Sequence, residues 1–353
     1  MELNPWESFE VKDYNKLMKK FGIEKLDTKK IPEKHPFFDR GIIFGHKDFG
    51  NIASAIKNKK PWAMMTGLMP SGKFHFGHKM VADEIIYFQK LGAECYIAVA
   101  DIESYLTRGI SLEDARKTAI EEYLINYIAL GLKPAKTKFY FQSNGSSEYN
   151  NLSKFVSKKT TYNELKSIYG DISPEKMVST FTQVADILSP QLDGPKPVIV
   201  PVGVDQLPHI SLTRDIANRM KLIPPSATFH KLMPGLKGGK LSSSDPSSAI
   251  FLTDSPNEIK KRINKYALSG GQKTLEEHRK KGGNPDVDIS YQWLTYIEED
   301  DKKLKQIYND YKSGKLLSGE LKAILIEKLT KFLEQHQKKR ELAKKQVDKF
   351  LKE

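Results

Sequence analysis

The stretch PWAMMTGLMPSGKFHFGHKMVADEIIYFQKLG, residues 61–92, decides the fold. WAMMTG reads as a buried strand, and residues 77–91 read as a helix with Val81, Ile85 and Phe88 on one face. Gly92 is its stop signal. The Pro/Gly-rich turn between them leads from a strand into a helix. Such a turn presents free backbone N–H groups and the positive end of a helix dipole, which suits an anion. His75 and His78 flank Gly77 at the helix mouth. Three residues apart, they share a helix face and can both donate hydrogen bonds to one phosphate. Gly77 leaves room for a flat ring against the backbone. Taken alone, H-x-G-H is short, and the plain alternative is a turn with two surface histidines.

The same alternation continues outward. CYIAVAD (95–101) reads as a second strand, and Ser111 to Leu130 as a long helix with a Ser111/Asp114 capping box and Gly131 as its end. KFYFQS (138–143) and PVIVPVG (197–203) are further strands, the latter followed by a helical QLPHISLTRDIANRM. Strands alternating with helices predict a parallel sheet covered on both faces, an α/β fold. Residues 1–60 read as an irregular, partly helical extension and 61–254 as the α/β domain. Residues 255–353 read as a mostly helical domain that opens on a capped helix start, with Ser255, Pro256 and Glu258 in place. In the final stretch Leu321, Leu325, Leu329 and Phe332 form an apolar stripe, and the other face is rich in lysine.

Composition narrows the class. Lys and Arg number 57 against 44 Asp and Glu, a net charge of +13, which suits a polyanionic partner or a lysine-rich surface equally well. No apolar run approaches the roughly 20 residues of a membrane span, and the N-terminus lacks the basic flank and apolar core of a secretory signal. A single cysteine, Cys95, excludes an internal disulfide framework. A cytoplasmic setting is expected.

Two later segments extend the phosphate reading. GLKGGKLSSSDPSS (235–248) combines a glycine-rich loop with Lys240 and the hydroxyls of Ser242, Ser243 and Ser244, a clamp for pyrophosphate; the plain alternative is a flexible polar linker. VPVGVDQ (200–206) ends a strand where α/β sheets place ligands. Gly203 permits close approach there and Asp205 can hold a ribose hydroxyl.

HFGH after the first strand, G-x-D-Q after a late one and KLSSS beyond it together resemble the class I aminoacyl-tRNA synthetases. NPWESF, KLSSSDPSSAIFLTD, SGGQKTLEEHRKKGGNPDVDISYQWLTYIEEDDKKL and SGELKAILIEKL resemble the tryptophan-specific branch of archaeal and eukaryotic type. The resemblance implies a Rossmann-like catalytic domain with a C-terminal helical domain that reads the anticodon. It implies activation of L-tryptophan with ATP and Mg2+, no dedicated protein metal site, transfer to tRNA(Trp), and a homodimer. His75, His78 and Lys240 would be catalytic. ATP would meet Pro70, Ser71, Gly72, Lys73, His75, Gly77, His78, Gly203, Asp205, Lys240, Ser242, Ser243 and Ser244.

The second lysine of the family's KMSKS motif is Ser243 here, which leaves Lys73 or Lys237 to supply the missing cation. The eukaryotic pattern holds the indole N–H with side chains at the positions of Met65 and Ala98, and neither residue here can accept it. Asp186, in FTQVADIL, is the expected acceptor, with Glu103, Gln183 and Gln206 on the ammonium group and Met65 against the ring. QVADI also resembles a segment of the tyrosine-specific branch, the alternative substrate. Asp286 or Asp288 would read a cytosine of the anticodon through its exocyclic amine, against helix capping as the plain alternative. Trp62 and Trp293 are expected to pack. His46, His209, His230, His278 and His336 have no ligand-like grouping and default to surface or supporting roles.

Overall fold

The computed structural model describes residues 13–28, 31, 33–239, 241–243 and 245–351. The segment NPWESF, with Lys240 and Ser244, lies outside them. Among the described residues seven strands make one sheet: β1 (Glu24–Lys25), β2 (Ile43–Lys47), β3 (Ala63–Leu68), β4 (Glu94–Val99), β5 (Thr137–Phe141), β6 (Val198–Gly203) and β7 (Ser226–His230), in the order β1-β2-β7-β6-β3-β4-β5. From β7 to β5 all neighbours are parallel. The chain winds outward one way through β3, β4 and β5, then returns to place β6 and β7 on the other side of β3. The C-terminal ends of β3 and β6 therefore form the switch point, where open α/β sheets leave a crevice for ligand.

The α/β expectation holds, and its four strands are found within a residue or two. The N-terminal extension differs from expectation. Its apolar run puts Ile42, Ile43 and Phe44 in the core, and β2 pairs antiparallel with β7. β7 was not legible. Ser-Ala-Thr-Phe-His carries little hydrophobic signal, yet it is wholly buried because strands flank it on both sides. Leu112–Leu130 is one continuous helix capped by Ser111, but Ala119–Leu124 widens into a π-helical turn.

Compactness divides the chain into two units. The first holds the described residues up to Gly72, Val81–Lys231 and those from Ala343 on. The second holds Lys73–Met80 and the described residues of Leu232–Leu342. Composition placed the division at 254/255; compactness places it at 231/232 and counts the HFGH turn with the second unit. In the first, Met65, Ala98, Ile187, Val200 and Phe229 belong to one cluster on the sheet. The helices Ser147–Ser157, Tyr162–Tyr169 and Pro174–Leu188 bury a second cluster with Leu212 and Ile216 of the helix Leu207–Met220.

In the second unit the helix Pro256–Tyr266 starts with the expected box: Ser255 N–H donates to Glu258 Oε2 at 2.8 Å and Glu258 N–H to Ser255 Oγ at 3.3 Å. The helix Ser318–Lys344 buries Leu321, Leu325, Leu329 and Leu333, while Phe332 stays half-buried. SGG…GGN folds into a tight knot around Tyr311 and His278. Gly282 sits at φ +74°, and a Cβ there would lie 1.8 Å from the Lys312 carbonyl oxygen. Only glycine meets both demands. Trp62 and Trp293 are buried, as expected; Trp293 donates its indole N–H to the Pro234 carbonyl at 2.9 Å.

Candidate active site

The two histidines occupy the start of the helix Phe76–Lys90, with His75 just before it. His78 N–H donates to His75 Nδ1 at 3.4 Å, and His75 N–H donates to His78 Nδ1 at 3.2 Å. This is the reciprocal pattern of a capping box, made with imidazoles in place of hydroxyl and carboxylate. The i, i+3 spacing of H-x-G-H is the spacing that pattern needs. The rings stack with centroids 3.7 Å apart and planes 10° off parallel. A Cβ on Gly77 would come within 3.1 Å of the His75 ring, so the glycine makes room for the stack as well as for any substrate ring.

Burial pushes the His75 imidazole down to about 4. Burial, and then the neighbouring His75, hold His78 well below the ordinary range. Both are neutral at pH 7. Because each Nδ1 accepts, each Nε2 carries the proton and is a fixed donor.

In the same unit Ser243 Oγ donates to the Lys73 carbonyl at 3.1 Å, Leu241 is buried near Gly77, and Ser242 N–H donates to Ser248 Oγ at 3.2 Å. Lys237 is engaged with Asp245 at 3.3 Å. Lys73 Nζ lies over the Phe251 ring, 5.9 Å from its centroid, and its charge acts to lower the pKa values of Asp254 and Glu258, whereas Lys237 is the one paired with Asp245.

The first unit carries the other residues. Pro70, Ser71 and Gly72 follow β3; Gly203 ends β6, and Asp205 and Gln206 follow it. Gln183 Nε2 donates to Gln206 Oε1 at 3.4 Å, and Gln206 Nε2 donates to Asp205 Oδ2 at 3.3 Å. Glu103 is raised above the usual carboxylate range by burial, opposed by a bond from Ser179 and by the charge of Arg108. Ser179, which bonds Glu103, lies one turn before Gln183 on the helix Pro174–Leu188.

Asp186 is reached by three donors. Tyr149 Oη and Tyr140 Oη donate to its Oδ1 at 2.7 and 2.9 Å, and Gln142 Nε2 donates to its Oδ2 at 2.7 Å. Burial raises its pKa to about 6 against the pull of those bonds. The carboxylate expected to await an indole N–H is thus already engaged by the protein. Sequence reasoning missed Tyr140, Gln142 and Tyr149. The signal available was position, because Gln142 directly follows β5 at the sheet's ligand-bearing end.

Three further expectations can be placed. Asp288 is buried; its Oδ1 caps the helix Ile289–Ile297 and its Oδ2 accepts from Gly270 N–H at 2.9 Å and Tyr311 Oη at 2.8 Å. That carboxylate is fully used by the fold, whereas Asp286 is exposed and, among the described residues, its carboxylate accepts from Tyr308 Oη alone, at 3.2 Å. The histidines given surface or supporting roles are mostly interior. His230 Nδ1 lies 2.8 Å from Glu84 Oε1 with both side chains buried, His209 Nδ1 lies 2.8 Å from Tyr169 Oη, and His278 and His336 are buried too. Cys95 is buried in β4. Among the described residues no helix is long and apolar enough to cross a membrane.

A family described as tRNA synthetases class I (W and Y) matches residues 57–334. The chain is 47% identical to a tryptophan–tRNA ligase of Methanocaldococcus jannaschii over 99% of its own length and 98% of that protein's. Its fold matches the crystal structure of tryptophanyl-tRNA synthetase from Aeropyrum pernix with a TM-score of 0.92 and 46% identity, covering 99% and 98% of the two chains. It also matches a tryptophanyl-tRNA synthetase from Encephalitozoon cuniculi solved bound to tryptophan, with a TM-score of 0.87 and 29% identity over 97% and 98%. The tyrosine alternative is not favoured by these relatives. The chain belongs to the class I tRNA synthetases, in the tryptophan-specific branch of archaeal type, and its activity is that of a tryptophan–tRNA ligase.

Proposed function

We propose that the residues described above divide the reaction between them as follows. Glu103, Gln183 and Gln206 hold the ammonium group of L-tryptophan, and Met65 and the Asp186 cluster enclose its ring. Gly203 and Asp205 hold the ribose of ATP. Pro70, Ser71, Gly72, Lys73, Gly77, Lys240 and Ser242 to Ser244 engage its phosphates.

The tryptophan carboxylate attacks the α-phosphorus, forming one P–O bond as the bridging bond to pyrophosphate breaks. The electron pair leaves with pyrophosphate, so no protein nucleophile is needed, and catalysis is positioning plus stabilisation of phosphate charge. His75 and His78 contribute neutral, oriented Nε2–H donors. The single observation that carries this assignment is their reciprocal capping, which fixes both tautomers before substrate arrives. A hydroxyl of the terminal ribose of tRNA(Trp) then attacks the activated carbonyl and AMP leaves.

Mg2+, which the family generally uses with ATP, is read as travelling on the phosphates, without a dedicated protein site. Asp286 is read as the anticodon contact, since its carboxylate keeps acceptor capacity that Asp288 has spent. A homodimer working in the cytoplasm completes the proposal. ATP–pyrophosphate exchange with each of the twenty amino acids tests it: exchange stimulated by tryptophan alone is expected. Exchange with tyrosine alone, or with no amino acid, would overturn it.

A further inference from the structure

Gln142 is 5% exposed, and its two amide atoms are in opposite situations. Nε2 donates to Asp186 Oδ2 at 2.7 Å. Oε1 is buried and, among the described residues, has no hydrogen-bond partner. Its orientation is not arbitrary, because an ionised carboxylate only accepts, so the NH2 end must face Asp186 and the carbonyl end must face away.

The surroundings hold that orientation rigidly. Tyr140 and Tyr149 pin Asp186 through its other oxygen. Next along the chain, Ser143 is bound to the buried Asp101 through both its N–H and its hydroxyl. The main-chain carbonyl oxygen of Gln142 accepts from Gly145 N–H at 3.2 Å.

Placement puts Gln142 on the sheet face that carries Met65 and Ala98. Phe141 keeps extended dihedrals, φ −101° and ψ 135°, so Gln142 continues the alternation of β5 and shares a face with Tyr140. Tyr140 is the register partner of Ala98, whose methyl group, like the thioether of Met65, offers no strong acceptor. Tyr140, Met65 and Ala98 pack in the same sheet-face cluster. A buried carbonyl left without a donor costs about 1–3 kcal/mol. It is tolerated where a ligand brings the donor, and a fixed acceptor of this kind rejects analogues that lack the donor.

We propose that Gln142 Oε1 accepts the indole N–H of tryptophan, and that Asp186 is a positioning residue that sets the amide the right way round. This rests on the reading of the first-unit site as the amino acid pocket. It changes the expected specificity residue from a carboxylate, which would attract any donor, to a neutral acceptor aimed at one N–H on an apolar ring.

The test compares tryptophan with its benzothiophene analogue, in which sulfur replaces N–H, using ATP–pyrophosphate exchange by the full chain. The wild type should prefer tryptophan by tenfold or more in kcat/KM, a factor on the order expected for one buried hydrogen bond. Gln142→Met, nearly the same length but without the carbonyl, should shrink that preference to about twofold while the KM for ATP stays put. Gln142→Leu should do the same, so that poor folding of one variant does not decide the result. A wild type without preference, which needs no variant to fold, overturns the proposal. So does a variant that keeps the wild-type ratio, which would return direct contact to Asp186. Failure of the wild type to exchange with tryptophan at all overturns the functional reading itself, and appears before any variant is made.

Discussion

His75 and His78 cap each other: each imidazole Nδ1 accepts the other residue's main-chain N–H, and the rings lie face to face 3.7 Å apart. The pair is at once the first turn of a helix and a matched set of Nε2–H donors. Replacing His78 with alanine removes a donor and one half of the cap. Exchange kcat should fall about 100-fold, in the range for loss of one transition-state donor, with the KM for tryptophan changed little. The His75 pKa lies near 4, and His78 is also depressed, so kcat should be flat from pH 6 to 8. A kinetic limb near 6.5 that disappears in His75→Asn would show that one of them works as a cation instead.

Asp186 gives the tryptophan site its own pH dependence. Its pKa of about 6 lies above the ordinary value because burial disfavours the charge. The groups that face it are Tyr140, Gln142 and Tyr149, with the charge of Glu103 nearby. As pH falls through 6 the carboxylate gains a proton, can donate, and no longer enforces the Gln142 orientation. The KM for tryptophan should rise several-fold between pH 7.5 and 5.5, and the KM for ATP should not follow. Asp186→Asn should start with the higher KM and lose the pH dependence; an unchanged profile in that variant would assign the titration elsewhere.

Ser243 stands where the family motif has a second lysine, and its hydroxyl binds the Lys73 carbonyl. If Lys73 supplies the missing charge, Lys73→Ala should lower exchange by 10- to 100-fold, on the order of one charged phosphate contact. Adding Ser243→Lys should restore much of it. A double variant no better than Lys73→Ala would remove Lys73 from the phosphate site.

The two aspartates of NPDVDIS should separate cleanly. Asp288→Ala removes a helix cap and leaves the Gly270 N–H and Tyr311 hydroxyl without their acceptor, a loss of about 3 kcal/mol seen as a lower Tm. Asp286→Ala should leave Tm and exchange intact and reduce tRNA charging. Equal thermal losses in both variants would contradict the division of roles.

Local order was largely legible in the chain. The apolar run of β3, the glycine-rich turn and the helix that follows are short-range patterns, and the Ser255 box is set by residues three apart. The motif histidines belong to the same class, since a reciprocal cap needs only i, i+3 spacing. What remained hidden depends on neighbours distant in sequence. β7 is polar in composition and becomes a strand because β2 and β6 flank it. Gly282 is required by a carbonyl thirty residues later. Asp186 reads in sequence as a waiting acceptor, but Tyr140, Gln142 and Tyr149 arrive from a strand and a helix some forty residues earlier and fill it. The sequence thus determined the chemistry available, while only the tertiary structure decided that Gln142 Oε1 is buried without a partner among the described residues. Hydrogen-bond capacity is a property of residue type, and its satisfaction depends on which chain segments meet.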